Sequence, residues 1–457
     1  MNRVSKRAAA LYVLVLALIG GLCFFLFEYV TRADTWIISP GSPHVYNSGN
    51  IGCGVITDRD SKILLDLTET RIYAADPLIR KSTLHWLGDR QGSISAPAVT
   101  NYAKEMTGFD MVNGLYQYGV SDGRVKLTLS ADVQAAALKA IGDRKGTIGV
   151  YNYKTGEILC AITTPTFDPD YVPDIEGDTT GTYEGIYLNR FVQSAYVPGS
   201  IFKIVTTAAA LETVPDIQQL TFTCTGTYEY GIDKVTCERA HGVLDLKGSL
   251  ASSCNCCFAQ IVGLIGRDDL QKYAEQFRIT APLTFDGVTT ASGNFDVTKA
   301  APVEAAWAGI GQFTDLVNPC RYMTFMGAIA GDGVAANPYL VAEVKAGNQT
   351  TYRAETNFGE RIMSKTLAKT LQEYMRNNVQ NVYGDSNFSG LTVCAKSGTS
   401  QLGGDQISNA MFSGFVADED YPLAFIVVVE NGGYGSATCV PILSQVLEAC
   451  KRSLDAA

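Results

Sequence analysis

Histidine is scarce in this 457-residue chain: there are three, at positions 44, 85 and 241. That number cannot supply a multi-histidine metal centre. The single Cys-x-x-Cys, from Cys254 to Cys257, has no second pair to complete a four-ligand set. Cations are in the minority, with 36 Lys+Arg against 46 Asp+Glu and a formal charge of −10. A nucleic-acid binder gathers Lys and Arg on one face, so no nucleic-acid partner is expected. No cofactor or metal is expected either. Internal repeats and low-complexity tracts are lacking. At 46% hydrophobic and 18% charged, the composition excludes a disordered chain. Its length allows about three domains.

One long apolar run is present. Arg3, Lys6 and Arg7 precede residues 8–27, which carry no charge and are rich in Leu, Val and Phe. At about 1.5 Å per helical residue the run spans the roughly 30 Å hydrocarbon core of a bilayer. Basic residues before it favour a cytoplasmic N-terminus and place the remainder outside. A cleaved signal has a shorter apolar region and a small-residue cleavage site, whereas Phe27, Glu28 and Tyr29 follow here. The reading is a retained single-pass anchor: residues 1–7 a cytoplasmic tail, 8–30 the membrane span, and an extracytoplasmic body beyond.

Twelve cysteines then meet a compartment where disulfides form. Cys224 and Cys237 flank Gly226-Thr-Tyr-Glu-Tyr-Gly-Ile232, a predicted hairpin. They are read either as a disulfide or as free, buried small hydrophobes. Cys254, Cys256 and Cys257 are expected as packed helix residues, and His241 as a structural turn histidine.

Residues 31–145 read as a small α+β pedestal. Two short strands flank a turn at Asp58–Ser61, another strand covers 125–129, and Ser130 is expected to cap an Ala/Leu-rich helix ending at Ile141. Residues 146–457 read as one domain. Strands at 147–152 and 157–163 form a hairpin across Lys154-Thr155-Gly156. Helices are expected at 201–211, 246–265 and 302–329, the last interrupted around Gly309–Gly311. Three strands (392–396, 411–416, 423–430) and a closing helix (441–454) follow. Strands at both ends with helices between them predict one antiparallel sheet flanked by helices, an α+β arrangement.

The chemistry begins at Pro198-Gly199-Ser200-Ile201-Phe202-Lys203. Residues i and i+3 share a helical face, which sets Lys203 beside the Ser200 hydroxyl. Serine needs a neighbouring base at neutral pH, and a lysine serves if burial and a second cation lower its pKa. Ser-x-x-Lys alone is a weak signal. Two further elements strengthen it: Ser253-Cys254-Asn255, and Lys396-Ser397-Gly398-Thr399 at a strand end. Lys396 is expected to be the cation that depresses Lys203, and Gly398 to let a substrate lie along the strand edge.

The ordered set Ser-x-x-Lys, Ser-x-Asn, Lys-[Ser/Thr]-Gly resembles the penicillin-binding proteins of class B, membrane-anchored D,D-transpeptidases. Tyr153-Lys-Thr-Gly-Glu-Ile-Leu159, Tyr196-Val-Pro-Gly-Ser-Ile-Phe-Lys203 and Gly309-Ile-Gly-Gln-Phe313 resemble successive blocks of that family. In the pedestal the family's Arg-Gly-x-Ile-x-Asp-Arg is matched with Cys53 in place of the first Arg. The resemblance implies a penicillin-binding/β-lactamase-like fold. It also implies that Ser200 is the acylated nucleophile, Lys203 its base and Ser253 a proton relay. Asn255 would bind the substrate amide and steady Lys203, while Lys396, Ser397 and Thr399 hold the substrate carboxylate. The oxyanion would sit between the N–H groups of Ser200 and Thr399. Peptidoglycan stem peptides, β-lactams, the membrane and a SEDS-type glycosyltransferase are the implied partners.

Three rivals remain. A class A β-lactamase needs a Glu-x-x-Leu-Asn element; the closest match, at Glu373 to Asn377, has Arg in place of Leu and reads as helix. A β-lactam-sensing receptor is expected to carry several spans. An inactive wall-synthesis scaffold would not need the five side chains Ser200, Lys203, Ser253, Asn255 and Lys396. Tyr228, Tyr230 and the Phe313 region are groove-lining candidates that could equally pack.

Overall fold

The computed structural model describes residues 2–36, 54–68, 70–94, 101–102, 109–110, 115–116, 123–388, 390–401 and 407–456. Cys53 and much of the segment between 95 and 122 lie outside them.

The helix Asn2–Trp36 contains the apolar run, with a mean hydropathy of 2.7 in its most apolar window and none of that window buried against the protein. By length and composition it can cross a membrane.

The body is built on two sheets. The larger core surrounds five antiparallel strands in the order Val393–Ser400, Asn409–Val416, Leu423–Val429, Gly146–Asn152, Ile158–Thr164. Both ends of the domain thus meet in one sheet, as expected from the strand pattern. Leu-Ala-Phe-Ile-Val-Val-Val is apolar throughout because both faces of its strand are covered. Phe425 and Val427 pack on one side with Val133, Leu443 and Val446 of the helices Ala131–Ile141 and Gly435–Asp455. Ala424, Ile426 and Val428 face the other way, towards Met323 and Met326 of Pro319–Ala330.

The second sheet has six strands in the order Gln349–Arg353, Val341–Ala346, Gly123–Leu127, Gly54–Thr57, Ile63–Asp66, Ile72–Tyr73. Its first two strands return from the C-terminal half, so the pedestal is tied to the larger body by backbone pairing.

Several expected helices are divided or extended. The 246–265 segment is two helices, Leu246–Ala251 and Asn255–Ile265, broken where Ser253 takes φ +53°. The 302–329 segment is two helices, Pro302–Gly309 and Pro319–Ala330, with the break beginning at Gly309 as expected. The closing helix starts at Gly435, with Pro441 inside it.

Ser130 sits at the N-cap of Ala131–Ile141 but makes no side-chain cap bond. The cap comes instead from buried Asp58, whose Oδ2 accepts the Ala131 N–H at 3.0 Å. Asp58 Oδ1 also accepts from Asp60 N–H (2.9 Å) and Lys62 N–H (2.8 Å), closing the turn predicted there. One carboxylate therefore builds a turn and satisfies a helix end far along the chain.

Candidate active site

The turn carrying Ser200 is a 3-10 helix, Gly199–Phe202, that runs into the α-helix Lys203–Thr213. Three residues per turn eclipse positions i and i+3, so the tighter helix aligns Ser200 with Lys203 better than an α-turn would. Lys203 Nζ lies 3.0 Å from Ser200 Oγ. The turn also approaches the Lys396 strand closely. Gly199 has φ +55°, and a Cβ on it would stand 2.6 Å from Thr399 O; one on Gly398 would stand 2.7 Å from Pro198 O. Glycine at both positions is what allows the two backbones to touch.

The break before Asn255–Ile265 delivers the second motif. Lys203 Nζ donates to Ser253 O (2.7 Å), Asn255 Oδ1 (2.7 Å) and Ser253 Oγ (3.3 Å). From the strand Val393–Ser400, Lys396 Nζ donates to Ser253 Oγ at 3.0 Å and to Ser397 O at 2.8 Å. Both lysines have 0% exposure. Ser253 Oγ therefore lies between two buried amines.

Burial lowers the Lys203 pKa to about 8; nearby thiol groups oppose the shift. Lys396 is pushed well below its ordinary value, first by burial and then by the charge of Lys203. Desolvation leads both shifts, and the repulsion between the two amines couples them.

Ser200, Ser253, Asn255, Ser397 and Thr399 line a cleft of about 520 Å³. Ser397 is held by Tyr383, whose OH accepts the Ser397 N–H at 2.9 Å and lies 2.9 Å from Ser397 Oγ. Thr399 Oγ1 accepts the Gly435 N–H at 3.1 Å. Tyr383, Gln312, Trp307 and Tyr434 join the site without having been singled out from sequence. Gln312 neighbours the groove candidate Phe313, which lies outside the cleft lining, and its Nε2 donates to Thr399 O at 3.3 Å. Tyr228 and Tyr230 pack edge to face with ring centroids 5.2 Å apart and lie outside the cleft lining. Glu373 accepts from Lys247 Nζ at 2.7 Å on an exposed helix face, so it is not a deacylating base.

The cysteine reading changes most. The predicted hairpin forms, as Thr227–Tyr230 with Asp233–Thr236, but Cys224 and Cys237 are not bridged. Cys237 Sγ lies 3.6 Å from Cys254 Sγ, and Cys224 Sγ lies 3.5 Å from His241 Nδ1. Cys254, Cys256 and Cys257 are buried at the start of Asn255–Ile265, as expected of packed helix residues, and His241 lies in the loop before Gly242–Asp245.

A lysine-flanked serine on a helix start, facing the edge strand of an antiparallel sheet, defines the class. Residues 146–448 match the family described as the penicillin binding protein transpeptidase domain. The chain belongs to that family, and the class B resemblance of its motifs holds. It is 28% identical over 362 residues to the peptidoglycan D,D-transpeptidase PbpA of Mycolicibacterium smegmatis, covering 72% of this chain and 73% of that one. The D,D-transpeptidase domain of a peptidoglycan glycosyltransferase from Eggerthella lenta superposes with a TM-score of 0.75 at 26% identity, over 89% of this chain and 99% of that one. The penicillin G acyl-enzyme of penicillin-binding protein A from M. tuberculosis shares the fold, with a TM-score of 0.74 at 23% identity over 88% and 99% of the two chains.

Proposed function

We propose that this chain is a membrane-anchored peptidoglycan D,D-transpeptidase, acylated at Ser200 by stem peptides and by β-lactams. The carrying observation is Lys203 Nζ, buried and within 3.0 Å of Ser200 Oγ, with Asn255 fixing its other side. Neutral Lys203 takes the Ser200 proton as Oγ attacks the carbonyl of the penultimate D-Ala. The N–H groups of Ser200 and Thr399 receive the oxyanion. Collapse expels the terminal D-Ala, and Ser253 Oγ, in reach of both amines, passes a proton to the leaving nitrogen. Ser397, Thr399 and Lys396 hold the substrate carboxylate. An amine from a neighbouring stem peptide then attacks the ester, restoring Ser200 and forming the cross-link.

The catalytic body lies outside the membrane and the N-terminus inside, by the basic residues before the span. A SEDS-type glycosyltransferase is the expected partner of the anchor and pedestal, to be sought by co-purification of the full-length chain. The reaction is tested with labelled penicillin and the full chain in detergent. A covalent adduct that persists for hours supports a transpeptidase, whereas rapid turnover supports a β-lactamase.

A further inference from the structure

Cys224 ends one strand, Cys237 follows the next hairpin, His241 precedes a third strand and Cys254 caps a helix. Four separate elements thus send one side chain each to a single point. The three sulfurs and a His241 ring nitrogen all lie within 4.8 Å of one another. Tetrahedral zinc, with bonds of about 2.3 Å to sulfur and about 2.0–2.1 Å to nitrogen, sets its ligands about 3.8 Å (S to S) and about 3.6 Å (S to N) apart. The 3.6 Å between Cys237 and Cys254 and the 3.5 Å between Cys224 and His241 match that spacing.

The surroundings suit thiolates. Cys254 Sγ accepts the Cys257 N–H at 3.4 Å and Cys237 Sγ accepts the Cys256 N–H at 3.2 Å, both from the first turn of Asn255–Ile265. Such bonds and the positive helix end stabilise negative sulfur. The strands around the cluster have little core of their own. Of Thr227–Tyr230, Asp233–Thr236 and Gly242–Asp245, Val235 alone is buried, and Thr221–Cys224 adds Phe222 and Cys224. A small, poorly buried β-unit of this kind is commonly held by a metal or a disulfide.

We propose that Cys224, Cys237, His241 and Cys254 form a structural zinc site that holds the β-unit against the Ser253-Cys254-Asn255 motif. Zinc displaces the three thiol protons and leaves the centre with one net negative charge. Four protein ligands fill the tetrahedron, so the ion binds no substrate. Its bearing on the cleft is positional. Cys254 stands between Ser253, which holds a left-handed φ of +53°, and Asn255, whose Nδ2 donates to Thr236 O at 2.9 Å. Fixing Cys254 fixes both neighbours.

The test uses the full chain, free of any polyhistidine tag, purified in detergent under reducing conditions with zinc in the growth medium. Elemental analysis is expected to find about one zinc per chain, and replacement by cobalt to give the strong visible absorption of a tetrahedral thiolate site. The Cys224→Ser/His241→Ala double variant is expected to lose zinc about tenfold or more. Cys320→Ser, a buried thiol elsewhere in the domain, is expected to keep it. Wild-type protein without zinc and without the cobalt spectrum overturns the proposal. So does a Cys237–Cys254 disulfide in non-reducing peptide mapping, or full zinc retention by the double variant. The site stands apart from the acyl-transfer reading; only an expected fall in penicillin labelling of the double variant rests on it. Zinc-loaded wild type that fails to label counts against that reading and not against the metal.

Discussion

Lys396 Nζ donates to Ser253 Oγ at 3.0 Å, bringing a buried amine from an edge strand against a hydroxyl at a helix break. Removing the amine leaves Ser253 with Lys203 as its remaining amine partner and, on the proposed reaction, removes a group that holds the substrate carboxylate. Lys396→Ala is expected to slow acylation by labelled penicillin by about 100-fold or more, the scale of losing an oriented donor at a reacting centre. Lys396→Arg should rescue little, because a planar fork does not fit a site built for a compact ammonium. Rescue to wild-type rate would show that charge alone suffices there.

The lowered pKa of Lys203 gives a pH dependence with a definite sign. The base must be neutral, and burial moves its pKa to about 8. Acylation is therefore expected to rise by up to tenfold per unit as pH increases towards about 8, then to level off. The checking measurement is the rate of penicillin labelling between pH 6 and pH 9, at concentrations well below saturation. A rate that falls as pH rises through this range would contradict Lys203 as the base.

Gly199 tests the contact between the nucleophile turn and the Lys396 strand. Its φ of +55° and the 2.6 Å from a built Cβ to Thr399 O leave no room for a side chain. Gly199→Ala should destabilise the fold by about 1–3 kcal/mol through backbone strain, with further loss from the clash. Thermal unfolding reads the first effect. The labelling rate should fall more than stability explains, because Ser200 and Thr399 shift together.

Asp58 offers a substitution that separates folding from chemistry. Asp58→Ala removes the cap of Ala131–Ile141 and two bonds of its own turn. A loss of about 2 kcal/mol is expected, at the upper end of the cap range. Below the new melting temperature the penicillin labelling rate should stay at the wild-type value. A large fall in rate with unchanged stability would tie the pedestal to the cleft in a way this fold does not suggest.

What was legible in the sequence was local or already ordered. Ser200 and Lys203 are three residues apart, so their meeting follows from any helical turn, and the three motifs occur in family order. Leu423–Val429 is apolar on both faces, and its short length and β-branched content mark a central strand. The unseen features depend on distant segments. Tyr383 reaches Ser397 from a π-helical segment, Val379–Tyr383, that continues Lys365–Asn378, and nothing near it signals that destination. Ser130 looked like a cap because the residue type fits, yet Asp58 outcompetes it. The grouping of the cysteines was hidden for the same reason. Cys224, Cys237, His241 and Cys254 are separated in sequence and meet only in the folded chain.

The central claim is that Ser200 is the acylated residue and that Lys203 activates it. Intact-mass and peptide analysis of the full chain after exposure to penicillin G tests this most directly. One penicilloyl adduct, mapped to the peptide carrying Ser200 and absent from Ser200→Ala, is the predicted result. An undiminished adduct on Ser200→Ala, or one mapped to another serine, would contradict it.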